Sequence, residues 1–210
     1  MDRMTRAMRG LLAAVVLLGG VVTAEGQISK LADRAPVTYD NKYEVYGGVG
    51  LQTFQAGQQL PKKMILGNAE LEATYWLTKK LGVAADLRGG AGTTQVFPNT
   101  DKSRPVVVAY TGMGGVEYRG PKNQFAAITF HALAGASHGV FDETARQDLN
   151  VGLYPNKTAP VGAVGGSVDF NRSKNLAFRL SPDLFFERFG DETREFFGLS
   201  GGVLYRFGKK

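Results

Sequence analysis

From Tyr43 onward, apolar side chains recur at every second position. Successive side chains of a strand point to opposite faces, so period two predicts strands, where a helix would repeat every three to four residues. Eight such stretches follow one another: Tyr43–Phe54, Ile65–Leu77, Leu81–Val96, Val106–Arg119, Gln124–His138, Pro160–Phe170, Asn175–Phe189 and Glu195–Phe207. In the second, Ala69, Leu71, Ala73, Tyr75 and Leu77 share one face, and Asn68, Glu70, Glu72 and Thr74 the other. In the eighth, Phe197, Leu199, Val203, Tyr205 and Phe207 oppose Ser200 and Arg206. The connections alternate as well. Thr78–Lys80, Gly120–Asn123 and Arg172–Lys174 are tight turns, whereas about 55–64, 97–105 and 139–159 are long loops.

Length and asymmetry together point to a membrane. Strands of water-soluble proteins average about 5–6 residues, and a tilted membrane strand needs about 9–11. Short turns at one end and long loops at the other, on an even number of strands, describe a transmembrane barrel. The expected fold is all-β: an eight-stranded antiparallel up-and-down transmembrane β-barrel over 43–210, after a cleaved signal peptide at 1–24 and a loose periplasmic lead-in at 25–42.

The chemistry of the second face supports this orientation. It carries Glu44, Glu70, Glu72, Asp86, Arg88, Glu117, Asp169, Arg179, Asp183 and Arg206, many of them mid-strand. Inside a narrow barrel, side chains fill the lumen, and charges there must pair. A three-residue turn at 78–80 sets Glu70 opposite Arg88 and Glu72 opposite Asp86, and closure of the sheet brings Arg206 to Glu44. Glycine pairs such as Gly47-Gly48 and Gly165-Gly166 leave room for these long side chains. Two aromatic bands are expected at headgroup level. One, at the turn end, includes Tyr43, Tyr75, Tyr118, Phe125, Phe170, Phe178, Tyr205 and Phe207, beside an inward Trp76; the other comprises Phe54, Tyr110, Phe186, Phe189, Phe196 and Phe197.

The N-terminus reads as an address. Arg3, Arg6 and Arg9 precede 13 uncharged residues, Gly10 to Val22, and Val22-Thr23-Ala24 offers small side chains to a signal peptidase at Val22 and Ala24. Thirteen residues fall short of the roughly 20 of a membrane-spanning helix. The absence of cysteine removes disulfide frameworks, thiolate metal sites and cysteine nucleophiles. The net charge of +6 is spread along the chain without the dense stripe of a nucleic-acid surface, so no nucleic-acid partner is expected. His131 and His138 fall on opposite strand faces, so no metal site and no cofactor is expected.

The signal segment, the eight alternating strands and the closing run Gly198-Leu199-Ser200-Gly201-Gly202-Val203-Leu204-Tyr205-Arg206-Phe207-Gly208 resemble the small eight-stranded outer-membrane β-barrel family, which includes the transmembrane domain of outer membrane protein A and outer membrane protein X. The family commonly ends on Tyr-x-Phe; here Gly208-Lys209-Lys210 follow. The resemblance implies the outer membrane of a Gram-negative-type bacterium, contact with outer-membrane lipid, and recognition of Val203, Tyr205 and Phe207 by the barrel-assembly machinery.

The expected role is structural or surface-interacting, with no enzymatic activity. The working part is loop 139–159, which carries Phe141, Asp142, Glu143, Arg146, Asp148, Tyr154 and Lys157 and would meet a surface partner. Three other readings remain open. A narrow pore would prefer cations, because acids outnumber bases on the inner face. A soluble lipocalin-like binder would hold an apolar ligand among Leu71, Leu87, Ile128, Leu180 and Leu199. A lipid-modifying enzyme would use Ser137, His138 and Glu143.

Overall fold

The computed structural model describes residues 37–57, 60, 64–94, 105–142 and 152–209. The signal segment with Val22 and Ala24, the lead-in as far as residue 36, and Glu143, Arg146 and Asp148 lie outside the described residues.

The alternating stretches form eight antiparallel strands: β1 (Asn41–Phe54), β2 (Met64–Trp76), β3 (Leu81–Thr93), β4 (Val106–Lys122), β5 (Ala126–Phe141), β6 (Lys157–Asn171), β7 (Leu176–Glu187) and β8 (Arg194–Lys209). Each pairs with its neighbours in sequence, and β8 closes on β1 from Asn41↔Lys209 to Gln52↔Gly198, so the sheet is a closed barrel without an edge. The turn at 78–80 fixes Glu70↔Arg88 and Glu72↔Asp86, and closure pairs Glu44 with Arg206.

Strand ends depart from the sequence reading at the loops. β4 runs on to Lys122 through a register shift between Arg119 and Lys122, so Gly120-Pro121, expected as a turn, lies within the strand. Proline has no N–H for a ladder bond, and an irregularity is where a strand accommodates it. β5 reaches Phe141 and β6 starts at Lys157, which shortens the connection expected at 139–159. β7 stops at Glu187, and Phe189 beyond it is buried with the loop-end aromatics.

The outer face is apolar and the inner face ionic. Leu71 and Leu87 are 52% and 61% exposed, while Asp86 and Arg88, one residue either side of Leu87, are 0% and 6% exposed. A soluble barrel would reverse this order, so the lipocalin-like reading is corrected: Leu71, Leu87, Leu180 and Leu199 stand outside and enclose nothing. The upper aromatic band is corrected too. Tyr110 and Phe197 face outward, whereas Phe54, Phe189 and Phe196 are buried. Phe54 and Phe196 fall on the same alternate positions as the inward Glu44 and Arg206 of their strands, and that parity outweighs the preference of an aromatic ring for headgroups.

Candidate functional site

The lumen is stacked in layers along its axis. Nearest the short turns, Arg179 on β7 is the hub. Its Nε donates to Asp169 Oδ1 at 2.7 Å and its Nη1 to Glu72 Oε1 at 2.6 Å, with Glu117 Oε1 and Glu44 Oε2 each 3.6 Å from the guanidinium. Arg206 on β8 bridges Asp169 Oδ2 at 2.9 Å and Glu44 Oε1 at 3.2 Å. Arg119 on β4 crosses the lumen to Glu44 and stacks 3.8 Å over the ring of Trp76, a cation–π contact that holds the inward indole.

In the next layer Arg88 on β3 gathers three carboxylates, Glu70 at 3.1 Å, Asp86 at 2.9 Å and Asp183 at 2.8 Å. His131 Nε2 lies 2.7 Å from Asp183 Oδ1. Two inward glycines make room for these groups. A Cβ at Gly165 would come within 2.8 Å of His131 Nε2, and one at Gly48 within 2.6 Å of the Tyr46 ring, whose hydroxyl meets Ser200 Oγ at 3.2 Å.

All ten charged residues proposed for the lumen from the sequence are buried there. Arg119, His131 and Glu187 join them; each had inward parity, and none had been given a place in the network. Their partners are across the lumen, or a loop-end residue in the case of Glu187, which accepts from Gln52 Nε2 at 3.4 Å. Val203, Tyr205 and Phe207 lie on the outer face of β8, with Phe207 stacked on Tyr43 at 5.4 Å and on Tyr205 at 6.0 Å.

Both mouths are filled among the described residues. At the loop end, Phe54, Met64, Leu66, Val107, Phe141, Leu153, Tyr154 and Phe189 belong to one buried apolar cluster. Phe54 lies 5.4 Å from Phe189 and 6.3 Å from Phe141, and Tyr154 packs edge-on against Phe141 at 5.8 Å. The Tyr154 amide donates to Ala56 O at 2.9 Å, so this stretch of the loop folds back as a plug. Burial pushes the Tyr154 phenol above its ordinary range. Two aromatics expected in the partner-binding loop, Phe141 and Tyr154, are therefore core residues.

At the turn end the described part of the lead-in, from residue 37, lies against the barrel. Tyr39, at φ 53°, turns its ring under the barrel, where its hydroxyl donates to Asn123 O at 2.7 Å and accepts from Asn171 Nδ2 at 2.6 Å. Arg119 and Arg206 face this ring at 5.4 and 5.1 Å. Burial raises the Tyr39 phenol, while the Asn171 hydrogen bond and the Arg206 charge pull the other way.

Two chemical possibilities can be read from the geometry. Carboxylate oxygens of Glu70, Glu72 and Asp86 lie within 4.8 Å of one another, close enough to gather a cation. Arg88 already bonds Glu70 and Asp86, and Arg179 bonds Glu72, so guanidinium groups do the gathering. Ser137 and His138, the residues of the lipid-modifying reading, do not meet. Ser137 Oγ is buried against Thr111 Oγ1 at 2.9 Å, while His138, on the outer face, bonds Thr158 Oγ1 at 2.9 Å.

An apolar exterior on a closed eight-strand sheet, with the mid-strand charges turned to its interior, defines a transmembrane β-barrel of the outer-membrane type. Solved structures carry the same fold. The chain superposes on Neisserial surface protein A with a TM-score of 0.57 at 12% identity, covering 79% of this chain and 97% of that one. On Ail, the attachment invasion locus protein of Yersinia pestis, the TM-score is 0.51 at 16% identity, covering 80% and 99%. A second Ail structure, in complex with the heparin analogue sucrose octasulfate, gives 0.50 at 17% identity, covering 79% and 99%. No family model and no curated protein sequence matches the chain.

Proposed function

We propose that the chain is an outer-membrane barrel of a Gram-negative-type bacterium whose lumen is a structural core and whose exposed loops meet a surface partner. The observation that carries this reading is the filled interior. Layers of ion pairs lie below an apolar plug, and Tyr39 lies under the turn-end mouth. Eight strands leave an interior just wide enough for side chains, and conduction would require buried charge pairs to part. Activity is then left to the connections between strands, chiefly the one between β5 and β6, whose sequence at 143–151 carries Glu143, Arg146 and Asp148. Neisserial surface protein A and the attachment invasion locus protein bear surface roles in their names on the same scaffold. Exposed Val203, Tyr205 and Phe207 are the side chains β8 offers to the assembly machinery.

The test has two arms. The refolded chain in planar bilayers is expected to give no conductance steps; regular cation-selective steps would favour the pore instead. Cells carrying the barrel are expected to bind immobilised heparin, and to lose that binding when 143–151 is replaced by a Gly-Ser linker with the barrel intact. Unchanged binding after the replacement would contradict the role of this loop.

A further inference from the structure

The short-turn end is predominantly basic. Lys79 and Lys80 lie between β2 and β3, Lys122 at the end of β4, Arg172 and Lys174 between β6 and β7, and Lys209 at the end of β8. In the meander all of these elements emerge at the same end, and all six side chains are exposed. Across the turns 77–80, 123–125 and 172–175 and the lead-in 37–40, the one acid is Asp40, which accepts from Thr38 Oγ1 at 2.6 Å. The loop end differs: Lys157, Arg188 and Arg194 are mixed with Asp142, Asp191 and Glu192, and Arg194 pairs with Glu192 at 3.7 Å.

The turns hold this charge in place. Thr78 Oγ1 accepts from the Leu81 amide at 2.9 Å, Asn123 Oδ1 from the Phe125 and Ala126 amides at 2.7 and 2.8 Å, and Ser173 Oγ from the Leu176 amide at 3.1 Å. Neighbouring elements are tied together by the Arg119 amide donating to Lys80 O and the Arg206 amide to Asn175 O, both at 2.7 Å. The basic groups therefore form a collar.

Directly beside the collar, on the outer face, stands the aromatic band of Tyr43, Tyr118, Phe170, Phe178, Tyr205 and Phe207. Lys42 joins the two, its Nζ 5.4 Å from the Tyr75 ring centre. Aromatic rings of this kind settle at headgroup level. The collar then lies at the depth of lipid phosphates, where each basic residue near an anionic surface gains about 1 kcal/mol. An acidic soluble polymer is the other chemistry that fits a basic ring, but it would not account for the aromatic band at the same level.

We propose that the short-turn rim is a binding collar for anionic phospholipid headgroups of the leaflet that surrounds it. The proposal rests on the membrane reading above and goes further by naming the lipid class and the residues. A multi-site ring selects the anionic lipid without a single enclosed pocket. Its grip falls with salt, because exposed charges are screened within about 10 Å at 0.1 M ionic strength.

The test uses the full chain refolded into phosphatidylcholine vesicles containing trace spin-labelled phosphatidylglycerol or spin-labelled phosphatidylcholine. It is compared with the combined variant Lys42→Gln, Lys79→Gln, Lys80→Gln, Lys122→Gln, Arg172→Gln, Lys174→Gln, Lys209→Gln and with the loop-end control Lys157→Gln, Arg188→Gln. The unsubstituted chain is expected to retain phosphatidylglycerol about fivefold over phosphatidylcholine at low salt, the factor one such basic residue supplies, with the preference fading at high salt. The collar variant is expected to lose the preference and the control to keep it. No preference in the unsubstituted chain overturns the proposal, as does a preference that survives in the collar variant or vanishes in the control. Salt dependence in the unsubstituted chain tests the proposal even if the variant does not fold. Capture of polyglutamate without lipid selection would assign the ring to an acidic polymer and also overturn it. Insertion into neutral vesicles, read as protease protection, does not depend on the collar, so failure there counts against the membrane reading instead.

Discussion

Arg179 shows what one side chain does in this barrel. It bonds Asp169 and Glu72 and lies within 4.0 Å of Glu117 and Glu44, with all five residues buried. Removing one partner of a buried pair leaves uncompensated charge and costs about 3–5 kcal/mol, more than an exposed pair contributes in total. Arg179→Met is therefore expected to destabilise the folded barrel by about that amount, measured as the urea midpoint in detergent micelles or vesicles. A loss below about 1 kcal/mol would mean the cluster is no more than a solvated surface. At this scale the sequence was partly legible. Glu70–Arg88 and Glu44–Arg206 are contacts between adjacent strands, which turn length and closure determine; Asp169–Arg179 is a third such contact, and the sequence reading did not pair it. Arg179–Glu72 and Arg88–Asp183 span the lumen, and their meeting depends on the tilt and stagger of all eight strands, which no single stretch of sequence contains.

Alternation made the strands legible because a one-residue slip would turn the outward leucines inward and the lumen charges into lipid. The same rule places Phe54 and Phe196 inside, and reading them as a headgroup band gave residue type more weight than parity. The plug was harder to foresee. Leu153 and Tyr154 enter it from a connection, where no periodicity marks the inner side, and the backbone contact from Tyr154 to Ala56 joins two different loops. Tyr39 was hidden for the same reason: it lies outside any strand, and its left-handed φ of 53° is not marked by glycine. The plug is the largest of the buried apolar clusters among the described residues. Phe54→Ala, at the end of β1 and against Phe141, Phe189 and Phe196, is expected to cost about 3–5 kcal/mol on the same urea scale. A loss below about 1 kcal/mol would show that these rings do not act as a core.

Taken whole, the molecule has an inverted arrangement that each layer makes necessary. Lipid satisfies the outward Leu, Val and aromatic side chains, while backbone groups in a closed sheet are satisfied by neighbouring strands. The long arginines and carboxylates can then be met only by one another within the lumen. The asymmetry between ends adds direction: an apolar plug and mixed charges toward the loops, and Tyr39 with a basic rim toward the turns.

The chain lacks cysteine, so a single reporter can be placed at will. A fluorophore attached to Leu71→Cys, Leu87→Cys, Leu180→Cys or Leu199→Cys, in vesicles of acyl-brominated lipid, is expected to be strongly quenched by bromine and shielded from aqueous iodide. A thiol at inward Ser181→Cys or Ser200→Cys is expected to resist coupling in the folded barrel and to couple only after unfolding in urea. Iodide reaching the leucine positions, or coupling at the serine positions in the folded barrel as fast as at the leucine positions, would contradict the orientation on which the account depends.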